Sequence, residues 1–153
     1  KIFKIDYYMK DLITNKIIET NLTKFKEKYN YVFLKGPKFI FDGMNTMFPK
    51  VEAEMKKMKL NDEKTIVLEP KDAYGVRDSK LLKVIPSKTF KENKLNPIVG
   101  LTIDVGQGQY GTIRSVSGGR VMVDFNSPYA DHKIEVFFKF LGEANDEEKV
   151  KAI

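Results

Sequence analysis

The chain has 153 residues, a formal net charge of +6, 42% hydrophobic and 12% aromatic residues, no cysteine and one histidine, His132. That is enough apolar material for a real core without disulfide staples, and it excludes thiolate chemistry and any histidine-cluster metal site. No apolar run approaches the ~20 residues of a membrane span, and "KIFKIDYYMK" lacks the apolar stretch of a signal peptide, so the chain reads as cytoplasmic, with no membrane association.

"IFKIDYYM" alternates as a strand does, and "LITNKIIETN" turns at Asn15 into a second strand, giving a hairpin. "LTKFKEKYN" is weakly helical, and "YVFLKGPKFIFDG" gives loop and strand broken at Gly36-Pro37. Pro49 to Leu60 predicts the one good helix: Val51, Met55 and Met58 share a face, and its acids precede its lysines as the helix dipole favours. "TIVL" is a strand ended by Glu69-Pro70.

Beyond "EPKDAYGVRD" the stretches "SKLLKVIPSKTF", "NPIVGLTIDV" and "YGTIRSVSGGRVMVDF" read as short strands, the last as two about Gly118-Gly119. "KIEVFFKFL" then aligns Ile134, Val136, Phe138 and Phe140 on one face, more apolar surface than the preceding strands can cover, so it should return to pair with the first segment. The expectation is a discontinuous α+β domain, residues 1–76 and 127–153, with a small all-β domain, residues 77–126, inserted in a loop. The polar end "GEANDEEKVKAI" would open a further helix.

Three apparent signals carry no function. The lysines are scattered among acids, with three arginines and no basic run interleaved with aromatics, so the positive charge reads as a solvated surface rather than a nucleic-acid footprint. "GQGQYG" is a literal G-x-G-x-x-G but leads into strand rather than helix, so it cannot present a helix N-terminus to a pyrophosphate. Glu69, Asp72 and Asp78 lack the spacing of a calcium loop.

"LNDEKTIVLEPKDAYGVRD" resembles the stretch "G(D/E)EKxVxxPPExAYGxRD" of FKBP-type peptidyl-prolyl isomerases, and "IDYYMKDLITNKIIETN" resembles their opening "xDYxGxLxDGxxFDT". "KVIPSKTF", "NPIVGLTI" and "GRVMVDFNSP" resemble the insert-in-flap chaperone domain of the SlyD-like branch, archaeal-type members above all. The resemblance covers essentially the whole chain. It implies an FKBP-like antiparallel sheet wrapped on a short helix, no cofactor and no metal, and clients that are unfolded or proline-containing polypeptides.

Carried across, the resemblance implies a prolyl cleft formed by Tyr7, Ile18, Glu19, Met47, Phe48, Val51, Tyr74 and Val136, with Phe39 or Phe41 also facing it. Tyr74 would hold a substrate carbonyl. Taken as residues alone, Tyr7 reads as a core tyrosine ahead of a site residue, and Tyr74 as either. Ile18, Glu19, Val51 and Val136 depart from the family's pattern and imply a wider, less aromatic cleft with weak turnover. In the insertion, Leu82, Val84, Ile85, Phe90 and Ile103 would line an exposed groove for an extended client, with the unit's own core as the competing reading, the favoured one for Val84 and Ile103. The functional expectation is a prolyl isomerase coupled to a folding chaperone; a non-catalytic holdase on the same fold is the alternative, and a nucleic-acid binder the third.

Overall fold

The computed structural model describes residues 1–25, 32–106 and 108–148. Of the weakly helical stretch at 22–30, Thr23–Phe25 forms a 3-10 turn and residues 26–30 lie outside the described residues; of the helix expected within 142–153, residues 146–148 are helical and those from 149 lie outside the described residues. The chain divides into two compact units, Lys1–Gly75 with Asp131–Ile153 and, between them, Val76–Ala130. Against the boundaries expected from sequence, the second junction falls later: the Asp131 amide donates to the Gly75 carbonyl at 2.9 Å, so the host closes on itself only there.

The host unit is built on two ten-residue strands, β1 (Ile2–Asp11) and β10 (Ile134–Glu143), with β2 (Lys16–Thr20), β3 (Val32–Phe33), β4 (Lys38–Phe41) and β5 (Glu63–Leu68) completing the sheet. The path runs β3-β2-β1-β10-β5, and β4 also pairs with β1. β1 and β10 are antiparallel with Tyr7 opposite Phe138 and Met9 opposite Val136, the pairing their alternation requires. One face of the pair, Ile5, Tyr7, Ile134, Val136 and Phe138, is fully buried. On the other, Tyr8 stacks on Phe137 and donates to Glu135 at 2.7 Å.

β4 pairs with residues 2–5 of β1 and β2 with residues 8–11, leaving a gap on the same edge of β1 between them. Asn21 fills it. Its side-chain oxygen accepts from the Tyr7 amide at 2.8 Å, and its nitrogen donates to the carbonyls of Ile5 and Gly36 at 3.0 and 2.9 Å; the Thr20 hydroxyl donates to the Tyr7 carbonyl at 2.7 Å. Side chains thus replace a missing stretch of ladder and hold the Tyr7 backbone in place.

Helix α1 (Pro49–Met55) buries Val51 and Met55 and is shorter than its periodicity suggests. The chain turns tightly after it, with Met58 donating to the Met55 carbonyl and Asn61, in the left-handed region at φ 70°, donating to Phe140. The inserted unit is a four-stranded sheet in the order β6 (Leu82–Pro86), β9 (Arg120–Asp124), β8 (Tyr110–Ser117), β7 (Thr102–Asp104). It also contains a helix, α2 (Ser87–Glu92), which the all-β expectation did not include; one buried side chain, Phe90, holds it to the core with Ile103, Ile113, Val121 and Val123.

Candidate functional site

In the host unit a cavity of about 460 Å³ opens where β1, β2 and β4 meet the loop before α1, and Glu19, Met47, Phe48 and Tyr74 all line it. The loop is pinned to α1: the Glu52 carboxylate accepts from the Gly43 amide at 2.6 Å, and Lys56 pairs with Asp42 at 2.7 Å. That sets Met47 and Phe48 at the cavity, with Pro49 starting the helix immediately after. On the other side a 3-10 turn over Pro70–Asp72, closed by the Gly75 amide on the Pro70 carbonyl at 2.7 Å, presents Tyr74. Gly75 has φ 86°, a conformation that favours glycine, and the insertion leaves the host directly after it. The Tyr74 and Phe48 rings meet edge to face, centroids 5.2 Å apart.

Tyr7, Val51 and Val136 are fully buried and form the core beneath this cavity rather than its lining. The Tyr7 hydroxyl has no hydrogen-bond partner among the described residues. Burial pushes its pKa well above the ordinary tyrosine range; the nearby Glu19 carboxylate adds to the rise without closing a bond, and Tyr74 adds a little more. The phenol therefore stays protonated and keeps its proton to donate.

Ile18 does not line the cavity, and neither Phe39 nor Phe41 does. The strand register explains the correction. Lys38 lies opposite Ile5 and Ile40 opposite Phe3, so Lys38 and Ile40 share the inward face and the two phenylalanines alternate onto the other. Lys38 takes the cleft position instead, its ammonium 5.4 Å from the centroid of the Tyr7 ring. Met9, Asn45 and Thr46 complete the lining and were also missed. Two-residue alternation from Tyr7 to Met9 and from Ile40 to Lys38 is the signal that finds two of them.

In the inserted unit Phe90 belongs to the core, which corrects its place in an exposed groove; Ile103 also belongs to the core, in line with the core reading favoured for it, while Val84 is exposed, against the same reading. Leu82 and Val84 alternate away from Lys83 and Ile85, and it is the latter pair that lines a hollow of about 780 Å³ with Leu81, Val105, Tyr110 and Phe125. Ile85 also borders a second hollow, of about 370 Å³, beside Phe90 and Ile103.

The lead-in and exit of this unit are fastened by polar side chains. Asp124 accepts from Arg77 at 2.7 Å, from Arg114 at 3.2 Å and from the Asn126 backbone and side-chain amides at 2.9 Å each, and Asn126 exchanges two hydrogen bonds with the Asp78 backbone. Burial alone would raise the Asp124 pKa. The two guanidiniums and the Asn126 donors outweigh it and hold the carboxyl well below the usual range.

Comparison with known proteins bears on both units. Residues 83–129 match the family described as FKBP26, IF domain. The chain is 28% identical over 94% of its length to the FKBP-type peptidyl-prolyl cis-trans isomerase SlyD of Helicobacter pylori, covering 74% of that protein. It is 25% identical over 89% of its length to the short-type peptidyl-prolyl cis-trans isomerase of Methanocaldococcus jannaschii, covering 87% of it. Over most of its length the chain is thus similar to proteins named as FKBP-type or short-type peptidyl-prolyl cis-trans isomerases. The FKBP-type 16 kDa peptidyl-prolyl cis-trans isomerase of Escherichia coli is a more partial relative, 30% identical over 55% of this chain and 58% of its own length. Among the described residues no helix is long and apolar enough to cross a membrane.

Proposed function

We propose that the chain is a peptidyl-prolyl cis-trans isomerase acting on X-Pro bonds of unfolded polypeptides, and that the inserted unit holds extended client segments as a chaperone. The observation that carries the first part is the cavity lined by Met47, Phe48 and Tyr74 above the buried Tyr7, in a chain whose relatives are named for this activity. Rotation about an X-Pro amide crosses a barrier of about 18–20 kcal/mol and needs no nucleophile, metal or cofactor. An apolar recess favours the twisted amide, which is less polar than the planar one, and wall contacts select its shape. Tyr74 donates its hydroxyl to a substrate carbonyl while its ring, braced on Phe48, closes one side.

The chaperone part is supported by the apolar hollow around Ile85, Tyr110 and Phe125 and by the match of this region to the IF domain. A client held on a unit tethered to the prolyl site is presented at raised local concentration, which compensates weak intrinsic turnover. With charge scattered over the surface and no basic stripe in the sequence, we assign no nucleic-acid or membrane partner and place the protein in the cytoplasm.

A non-catalytic holdase is the second reading, favoured by the lysine and glutamate in the cleft where apolar walls serve the reaction best. NMR exchange between the cis and trans forms of a proline peptide separates the two. Acceleration by the protein and a loss of about thirtyfold in the folded Tyr74→Ala variant, the equivalent of ~2 kcal/mol, are expected of an isomerase. No acceleration by either, with aggregation of an unfolded client still suppressed, identifies the holdase.

A further inference from the structure

We infer that Lys38 is a specificity-determining residue of the prolyl cleft and that it selects proline segments carrying an acidic side chain next to the proline; this rests on the isomerase reading above. Lys38 lies opposite Ile5, two residues along β1 from Tyr7 on the same face, and its ammonium lies over the Tyr7 ring at 5.4 Å in a cavity it helps to line. A π face is a weak partner for a cation next to a carboxylate. Among the described residues no carboxylate stands within ion-pair distance of Lys38.

The other charge in the cavity, Glu19, also stands outside ion-pair distance of Lys38, and it lies near enough to the Tyr7 hydroxyl to help keep that phenol protonated. The cation, resting on a π face, is the charge that a substrate carboxylate can pair with. A substrate carboxylate beside the proline pairs with it, draws the ammonium off the Tyr7 ring and opens the floor to the pyrrolidine. A basic side chain in the same place meets Lys38 at close range and is repelled. The net charge of +6 favours the same sign of substrate at long range.

The test uses the whole chain and peptides of matched sequence with Glu, Leu or Lys immediately before the proline, and a second set with the charge immediately after it. In wild-type protein at low salt, kcat/KM from NMR exchange is expected to be roughly fivefold or more higher for the Glu peptide than for the Lys peptide in at least one set, with the gap narrowing at high salt. Lys38→Gln should abolish that ratio and Lys38→Glu invert it. Equal values for Glu and Lys peptides in both sets, with the Leu peptide still turned over, overturn this inference and leave the isomerase standing. An unchanged ratio in folded Lys38→Gln also overturns it. If no peptide is turned over, the isomerase reading fails, and binding of the same peptides by NMR titration decides: tighter binding of Glu than Lys peptides that depends on Lys38 supports the selection, and equal dissociation constants refute it.

Discussion

The host unit buries two facing ten-residue strands and a helix face, so that Ile5, Tyr7, Ile40, Val51, Met55, Leu68, Ile134, Val136 and Phe138 are all nearly or wholly withdrawn from water. Among the described residues the inserted unit gathers five buried side chains in its core cluster and leaves Val84, Ile98, Val99, Val105 and Tyr110 exposed. A small body has too much surface for its volume to hide its apolar residues. The contrast separates two ways of being stable. The host relies on apolar contact between long strands, whereas the insertion leans on a buried carboxylate that ties its two ends, and its uncovered apolar surface is what a client can use.

The largest test of that contrast is Asp124→Ala. Removing a carboxylate that is 2% exposed and accepts four hydrogen bonds should destabilise the inserted unit by about 3 kcal/mol, read as lost amide-exchange protection at Ile113, Val121 and Val123 while β1 and β10 keep theirs. The same carboxyl gives a pH signature. Its folded pKa is depressed, so its contribution is complete above the unfolded carboxylate value of about 4 and is lost as pH falls below it toward the folded value. Asp124→Asn should remove that part of the acid dependence; a variant that melts in acid just as the parent does would break the comparison.

Asn21→Ala should act on the other unit. It deprives the Tyr7 amide and the Ile5 and Gly36 carbonyls of partners, an expected loss of about 2 kcal/mol in urea melts of the host, and turnover should fall as Tyr7 shifts beneath the cleft. Asn21→Asp keeps the acceptor for Tyr7 but sets a carboxylate oxygen against the Ile5 and Gly36 carbonyls and the Asp6 carboxylate, and should lose at least as much. The smallest effect is expected of Gly111→Ala. A Cβ there would lie 2.5 Å from Val123 Cγ1 and 2.8 Å from Phe125 Cε1, so overpacking should cost the inserted unit about 1.5 kcal/mol and leave the host transition unchanged.

Much of this organisation is legible in the chain because apolar alternation is a local property. The β1–β10 pairing could be read from two faces that each need a cover. The cleft was less legible. Phe39 and Phe41 drew attention as aromatics, but alternation with the buried Ile40 turns both away and brings Lys38 in. Helix α2 was missed because a single buried residue, Phe90, carries no periodicity. Asn21 and Asp124 gave no signal: a polar residue is buried only where partners await it, and theirs include Tyr7, fourteen residues back, and Arg77, forty-seven back.

By itself, then, the sequence determined that two long alternating strands must meet, that a body of short strands interrupts them just after Tyr74, and that the chain has no cysteine and too little histidine for thiolate or histidine-cluster chemistry. Only the tertiary structure decided that Tyr7, Val51 and Val136 lie beneath the cleft while Lys38 lines it, and that Ile85 rather than Val84 borders the hollows of the insertion. Periodicity says that residues share a face, but which face looks into a cavity depends on the register of strands remote in sequence and on which neighbour covers them.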